Sequence, residues 1–335
     1  MMNEQPIISS SNDFGVINLE VPTPFPIGNV NSYLLLGDKI TLVDTGPKTE
    51  RAWKTLIYQL NKNGLRIKDL DQVIITHHHV DHCGLLALLL EHHPDLKLLA
   101  HKLTIPWLEK RADIFSGILD FYEELYLQHG LSLEEIGKIK KFHKYFDQFL
   151  DPVQITDELV DREYLDGHSG WQVIHNPGHT QGHISLYNAN HQSLIAGDHL
   201  IDNVSSGTFI EPSLNRQQAR PRSMVDYQAS LRQIKTLEIK RVYSGHGIII
   251  TDPNGLIDQQ LKRIEERLDM LSEVFRANQN SLSVYEIMKL VYPERYGQHL
   301  PLYFSEVLGW LDILEQQGRV GSREKDGLIR YYFKE

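Results

Sequence analysis

The stretch Thr76-His77-His78-His79-Val80-Asp81-His82-Cys83-Gly84 carries four residues able to ligate metal, His77, His79, Asp81 and His82, within six positions. Imidazole and carboxylate donors at that density suit a divalent cation, and few other chemistries need the spacing. The apolar run Asp71-Gln72-Val73-Ile74-Ile75 before it predicts a buried strand, and Leu85 to Leu90 after it the body of a helix. His77 and His79 then point the same way from an extended segment, whereas Asp81 and His82 fall in the first helical turn and face a second point in space. One stretch of backbone can so serve two metal ions. A terminal tag or a low-complexity histidine tract would lack this frame of strand and helix.

Three later segments repeat the form of a strand running into a glycine turn that ends in a ligand. Asn176-Pro177-Gly178-His179 follows Trp171 to His175, Ala196-Gly197-Asp198 follows Ser193 to Ile195, and Ser244-Gly245-His246 follows Lys240 to Tyr243. Upstream, Ile40-Thr41-Leu42-Val43-Asp44-Thr45-Gly46 has the same form with an acid. Glycine allows the tight backbone path that turns a strand-end side chain into a shared cleft.

With these segments in this order, the chain resembles the metallo-β-lactamase-fold hydrolases over about residues 15–255. The resemblance implies an α/β fold, a four-layer αββα sandwich. It also implies that His77, His79 and His179 hold one metal, that Asp81, His82 and His246 hold the other, and that Asp198 bridges them. Asp44 matches the position of an acid that supports the ligands from behind. His79 stands where the flavo-diiron branch usually has Glu, which favours a hydrolase over a di-iron oxygen reductase.

The remaining histidines are assigned humbler parts. His78 should point away from His77 and His79, and His92 and His93 sit at a helix end beside Pro94, so all three are read as structural or solvated. His175, His183 and His199 adjoin the motifs and are expected to support the ligands or fix loops. Cys83, the sole cysteine, is read as a small residue packed under the ligand loop.

At 335 residues the chain can hold one large domain and a small one, with an expected division at 1–262 and 263–335. Between the second and third motifs, residues 104–150 read as a helical insertion, with one long helix from Ile105 to Gln128 and a second begun by the capping box at Ser132-Leu133-Glu134-Glu135. Phe142, Tyr145, Phe146 and Phe149 share a face of the second helix and are expected to pack on the first. Residues 255–278 form a charged amphipathic helix. The tail then reads as helices and a two-stranded wing, resembling the winged-helix tail that some proteins of this fold carry. Residues 281–335 hold seven Lys/Arg and eight Asp/Glu, and the segment Phe304 to Gln317 contains Glu306, Asp312 and Glu315 and no base. A helix of that charge repels phosphate, so nucleic acid is not the expected partner and packing on the catalytic domain or in a homodimer is. The net charge of −10 points the same way. No membrane span or leader is evident, and a lone cysteine forms no internal disulfide, which together suggest a cytoplasmic protein.

The expected chemistry is hydrolysis by a hydroxide bridging two divalent ions, zinc by default with iron or manganese acceptable to the same donors. Asp198 would hold the pair, Asp81 carry protons and Asp44 steady the shell. The first substrate class is a thioester, ester or lactone, resembling the glyoxalase II side of the family, with an acyl or anionic small molecule bound under the aromatic insertion. Arg216, Arg220 and Arg222 could clamp its anionic part. An endoribonuclease, a mononuclear iron persulfide dioxygenase and a non-catalytic metal module are the alternatives.

Overall fold

Strands and helices alternate along the chain as the apolar runs require. The computed structural model describes residues 13–202, 207–215, 217–278, 280–293 and 299–334. A first sheet orders β1 (Val16–Val21), β2 (Val30–Leu36), β3 (Ile40–Val43), β4 (Gln72–Ile75), β5 (Lys97–His101) and β6 (Asp157–Leu159) side by side. The β2–β3 hairpin is antiparallel, and β3 through β6 run parallel. A second sheet runs β10 (Arg241–Ser244), β9 (Ser193–Gly197), β8 (Ile184–Asn188), β7 (Trp171–His175). Parallel strands demand crossovers, which the helices supply on the outer faces.

Three apolar clusters divide the space between layers. Tyr33, Leu35, Val43, Ile74, Val173, Leu186 and Ile195 fill the gap between the sheets. On the outer face of the first sheet, Leu34, Leu42, Val73 and Leu98 meet Ala52, Leu56 and Leu60 of α1 (Glu50–Lys62), together with Leu86 and Leu89. Thr49 caps α1 by accepting from Ala52 N at 3.1 Å. The outer face of the second sheet is covered by α8 (Ser223–Lys235) and α9 (Pro253–Ala277), completing a four-layer αββα sandwich.

The ligand-rich segment spans two short helices, α2 (Val80–Cys83) and α3 (Leu86–His92), with the chain turning between them at Gly84 and Leu85. The insertion differs from its expected form. The stretch 105–128 is three helices, α4 (Ile105–Leu108), α5 (Ala112–Phe115) and α6 (Ile118–Gln128). Lys110 adopts a left-handed φ of 47° that no helix continues through, and Gly117 breaks the next turn. The capping box at Ser132 and Glu135 does open α7 (Leu133–Asp147). Its aromatic face, however, leaves the first helix: Phe146 and Phe149 close on Phe25 of the β1–β2 loop, at ring separations of 5.1 and 5.2 Å, while Phe142 and Tyr145 stay exposed.

The tail consists of α10 (Val284–Val291), α11 (Leu300–Gln316) and the hairpin of β11 (Val320–Lys325) with β12 (Leu328–Phe333). Its apolar residues are not a separate core. Phe304, Leu308, Trp310 and Leu311 of α11 belong to the same cluster as Leu231 of α8 and Leu268 of α9. The acids of α11 serve inside this packing: Glu306 accepts from the Tyr292 hydroxyl at 2.6 Å, and Asp312 takes a two-pronged ion pair from Arg220 at 2.7 and 2.8 Å. That pairing removes Arg220 from the expected substrate clamp, and Arg222 approaches Glu315 at 3.8 Å. Arg216 lies outside the described residues. Among the described residues no helix is long and apolar enough to cross a membrane.

Candidate metal centre

The loops at the ends of β3, β4, β7, β9 and β10 converge at one edge of the paired sheets. His77 lies just past β4 and is fully buried; His79 caps α2 in extended conformation, and Asp81 and His82 lie within α2. His179, Asp198 and His246 arrive from the ends of β7, β9 and β10. Close approach of these loops needs glycine. A Cβ on Gly245 would stand 2.2 Å from Asp198 Oδ1, and one on Gly197, itself at φ 49°, 2.8 Å from Thr76 Oγ1.

His77 Nε2, His79 Nδ1 and His179 Nε2 lie 3.0, 2.9 and 3.2 Å from one another. Nitrogens bound at about 2.0–2.1 Å to one tetrahedral ion would be roughly 3.3 Å apart, so the trio has the size of a metal's coordination edge. Three imidazole nitrogens aimed at one point cannot all satisfy each other by hydrogen bonding, since each neutral ring offers one lone pair and one N–H. A second set contains Asp81, His82 and His246, with His246 Nε2 3.4 Å from Asp81. Asp198 lies between the sets, 3.6 Å from His179 Nε2, 3.3 Å from His82 Nε2 and 3.5 Å from His246 Nε2. His82 Nε2 and His246 Nε2 are buried without a well-aligned hydrogen bond.

The far side of three of the rings is held. His82 Nδ1 faces Asp44 Oδ2 at 2.8 Å, His179 Nδ1 the Gly207 carbonyl at 2.6 Å, and His246 Nδ1 the Asn29 carbonyl at 2.8 Å. Such partners fix which nitrogen is offered to a cation. Asp44, at φ 58°, also accepts from Thr76 N and Thr76 Oγ1, so one carboxylate steadies both β4's end and His82.

Burial, then the neighbouring imidazoles, hold His77 well below the usual histidine range; burial likewise lowers His79 and His179. For His82 burial again opposes charge, but Asp198, Asp44 and Asp81 outweigh it and raise the ring well above that range. His246 is raised too, burial being overcome by Asp198 and Asp81. Asp198 is itself lowered: its burial is outweighed by His246 and His82.

The donor chemistry and spacing therefore fit metal ions. The matching family is described as the metallo-beta-lactamase superfamily, over residues 26–246. The chain belongs to that superfamily. It is 32% identical over 324 residues to "Probable metallo-hydrolase YqjP" of Bacillus subtilis, covering 95% of this chain and 97% of the relative. Among solved structures, "metallo-beta-lactamase family protein TTHA1429" from Thermus thermophilus superposes with a TM-score of 0.78 at 26% identity, over 96% of this chain and 99% of that one. "Atrochrysone carboxyl ACP thioesterase nsrC" of Aspergillus novofumigatus is 22% identical over 285 residues, 82% of this chain and 69% of its own.

Histidines outside the two sets divide by contact. His183 Nδ1 meets Asn176 Oδ1 at 3.0 Å while its Nε2 lies 3.2 Å from the Asp198 N–H, so it steadies the loop that bears Asp198. His175 reaches the Gln181 carbonyl at 3.0 Å and stacks on His101, away from the donors. His199 packs its buried ring against Tyr227. His92 and His93 approach the Leu88 and Leu70 carbonyls at their helix end. Cys83 is buried beneath the ligand loop, with Sγ 3.1 Å from the His79 carbonyl.

Two residues near the donors had no signal in the sequence. Phe209 sets its ring edgewise to His79 and His179, at 5.1 and 5.8 Å. Glu211 is buried and meets His78. Both lie in an aperiodic stretch after Asp198, where neither helical nor strand spacing marks a residue out.

Proposed function

We propose that the chain is a binuclear metal-dependent hydrolase acting on a thioester, ester or lactone. The observation that carries this reading is the pair of donor sets joined through the cluster of His77, His82 and Asp198. His77, His79 and His179 would hold one ion and Asp81, His82 and His246 the other, with Asp198 shared. Divalent ions there would supply Lewis acidity toward a substrate oxygen and acidify a bound water to a pKa of about 7. Zinc suits these nitrogen and carboxylate donors, and iron or manganese are accepted by similar ones.

The protein's own groups supply orientation and proton handling. His79 and Asp81 are the least buried donors, so substrate approaches from their side. Asp81, 3.4 Å from His246 Nε2 and 13% exposed, is placed to pass a proton toward solvent. Asp44 keeps the His82 ring aligned. Phe209 gives an apolar wall beside His79. Tyr122 of α6 ties the insertion to the same wall through its hydroxyl, which donates to the Ile210 carbonyl at 2.9 Å. An apolar wall beside a polar centre suits an acyl substrate, and the thioesterase nsrC among the relatives supports the thioester within that class. The test is elemental analysis combined with a hydrolysis screen over thioesters, lactones, β-lactams and phosphodiesters. The expected result is about two ions per chain and preference for acyl substrates, and cleavage of phosphodiesters alone would overturn the substrate class.

A further inference from the structure

His78 and Glu211 belong to neither donor set, yet they meet beside the chain segment that carries His77 and His79. His78 Nε2 lies 3.1 Å from Glu211 Oε1. The His78 ring also stacks on Trp107 of α4, with centroids 4.4 Å apart and planes 8° from parallel. Glu211 Oε2 accepts from the Gln181 backbone N–H at 2.8 Å. One carboxylate thus touches the segment carrying His77 and His79 and the segment carrying His179. Glu211 is 3% exposed, and no lysine or arginine pairs with it among the described residues. A buried carboxylate without a lysine or arginine partner costs stability, and an apolar side chain would fill the place at lower free energy. Its two contacts are therefore where a benefit must lie.

The placement parallels Asp44. That acid spans Thr76 and His82 behind the acid-bearing set. Glu211 spans His78 and Gln181 in the two segments that bear the imidazole set, one residue removed from the ligands on the first strand end and two on the second, where Asp44 meets a ligand ring directly.

We propose that Glu211 is a positioning residue for the His77–His79–His179 set, acting through His78 on one side and the Gln181 amide on the other. This rests on the reading of that set as a metal site. Outer partners of ligands typically change metal affinity by about 10–100-fold when removed. The influence of His78 runs through Glu211, so once Glu211 is removed the loss of His78 must add nothing further.

The test is zinc binding by the full-length chain in competition with a chromophoric chelator, in a His246→Ala background that leaves the imidazole set complete. Melting temperatures of the metal-free proteins run alongside. Glu211→Ala and His78→Phe are each expected to weaken zinc binding about 10–100-fold, and the double variant no further than the worse single one. Glu211→Gln keeps an oxygen to accept from the Gln181 N–H and a polar group of the same shape against His78 Nε2, and is expected to restore affinity to within a few-fold of the parent. Losses that add, or affinities that simply follow the metal-free melting temperatures, would overturn the proposal. Should Glu211→Ala not fold, Glu211→Gln and His78→Phe decide: near-parental affinity in the first with loss in the second upholds it, and equal affinities overturn it. Failure of the wild-type chain to bind zinc would overturn the metal reading itself, whereas zinc binding that Glu211→Ala leaves unchanged overturns only the role of Glu211.

Discussion

The two donor sets share a backbone segment and lie side by side, yet their histidines sit in opposite electrostatic surroundings. His77 and His79 face mainly other imidazoles, His179 faces both of them and Asp198, and burial still holds all three rings below the usual histidine range. His82 and His246 face Asp198 and Asp81, with Asp44 behind His82, and those carboxylates favour the charged rings. An imidazole is therefore made ready for a cation, or occupied by a proton, according to whether its neighbours are imidazoles or acids. The first set needs no proton displaced when metal arrives; the second must release protons.

Four substitutions would sharpen or break this contrast. Asp198→Ala should have the largest effect, because it removes the carboxylate that both sets approach: metal content is expected to fall at both, and hydrolysis to background. Retention of both ions by this variant would show that the sets are independent. His246→Ala should come next, abolishing the second ion while the first stays bound, read as a drop from about two ions to about one in elemental analysis. Asp44→Asn should be milder. His82 loses its carboxylate partner, so affinity at the acid-bearing set is expected to fall about 10–100-fold, with a smaller change at the imidazole set through Thr76, whose hydroxyl lies 3.0 Å from His77 Nδ1. Phe209→Ala should leave both ions in place and shift discrimination between long and short acyl substrates by roughly 1–3 kcal/mol in kcat/KM.

Acidity offers a further axis that needs no substitution. Because His82 and His246 are raised, protons compete there as pH falls through neutrality; because His77, His79 and His179 are lowered, protons compete with the first ion only at more acid pH. Zinc affinity of the acid-bearing set is therefore expected to decline first on titration from about pH 8 to about pH 5, measured by chelator competition at each pH. Simultaneous loss from both sets would erase the contrast.

Much of the centre was legible because strand ends announce themselves. An apolar run, a glycine and a ligand recur around His179, Asp198 and His246, and the resemblance that their order carries, rather than the period of any one run, implies that such ends share a site. Asp44 was legible by the same form. The helical insertion was legible only as helical: periodicity cannot register the left-handed Lys110 or foresee that Phe146 turns to Phe25. Arg220 misled because its partner, Asp312, is 92 positions away and buried on α11. Phe209 and Glu211 were invisible for a related reason, since contacts made by an irregular loop follow no period.

The most direct measurement is metal stoichiometry joined to activity in the wild type, His246→Ala and Asp81→Ala. About two ions are expected per wild-type chain and about one in each variant, with hydrolysis of acyl substrates failing in both variants while the first ion remains. A single tightly held iron in the wild type, with Asp81→Ala fully active, would contradict that expectation.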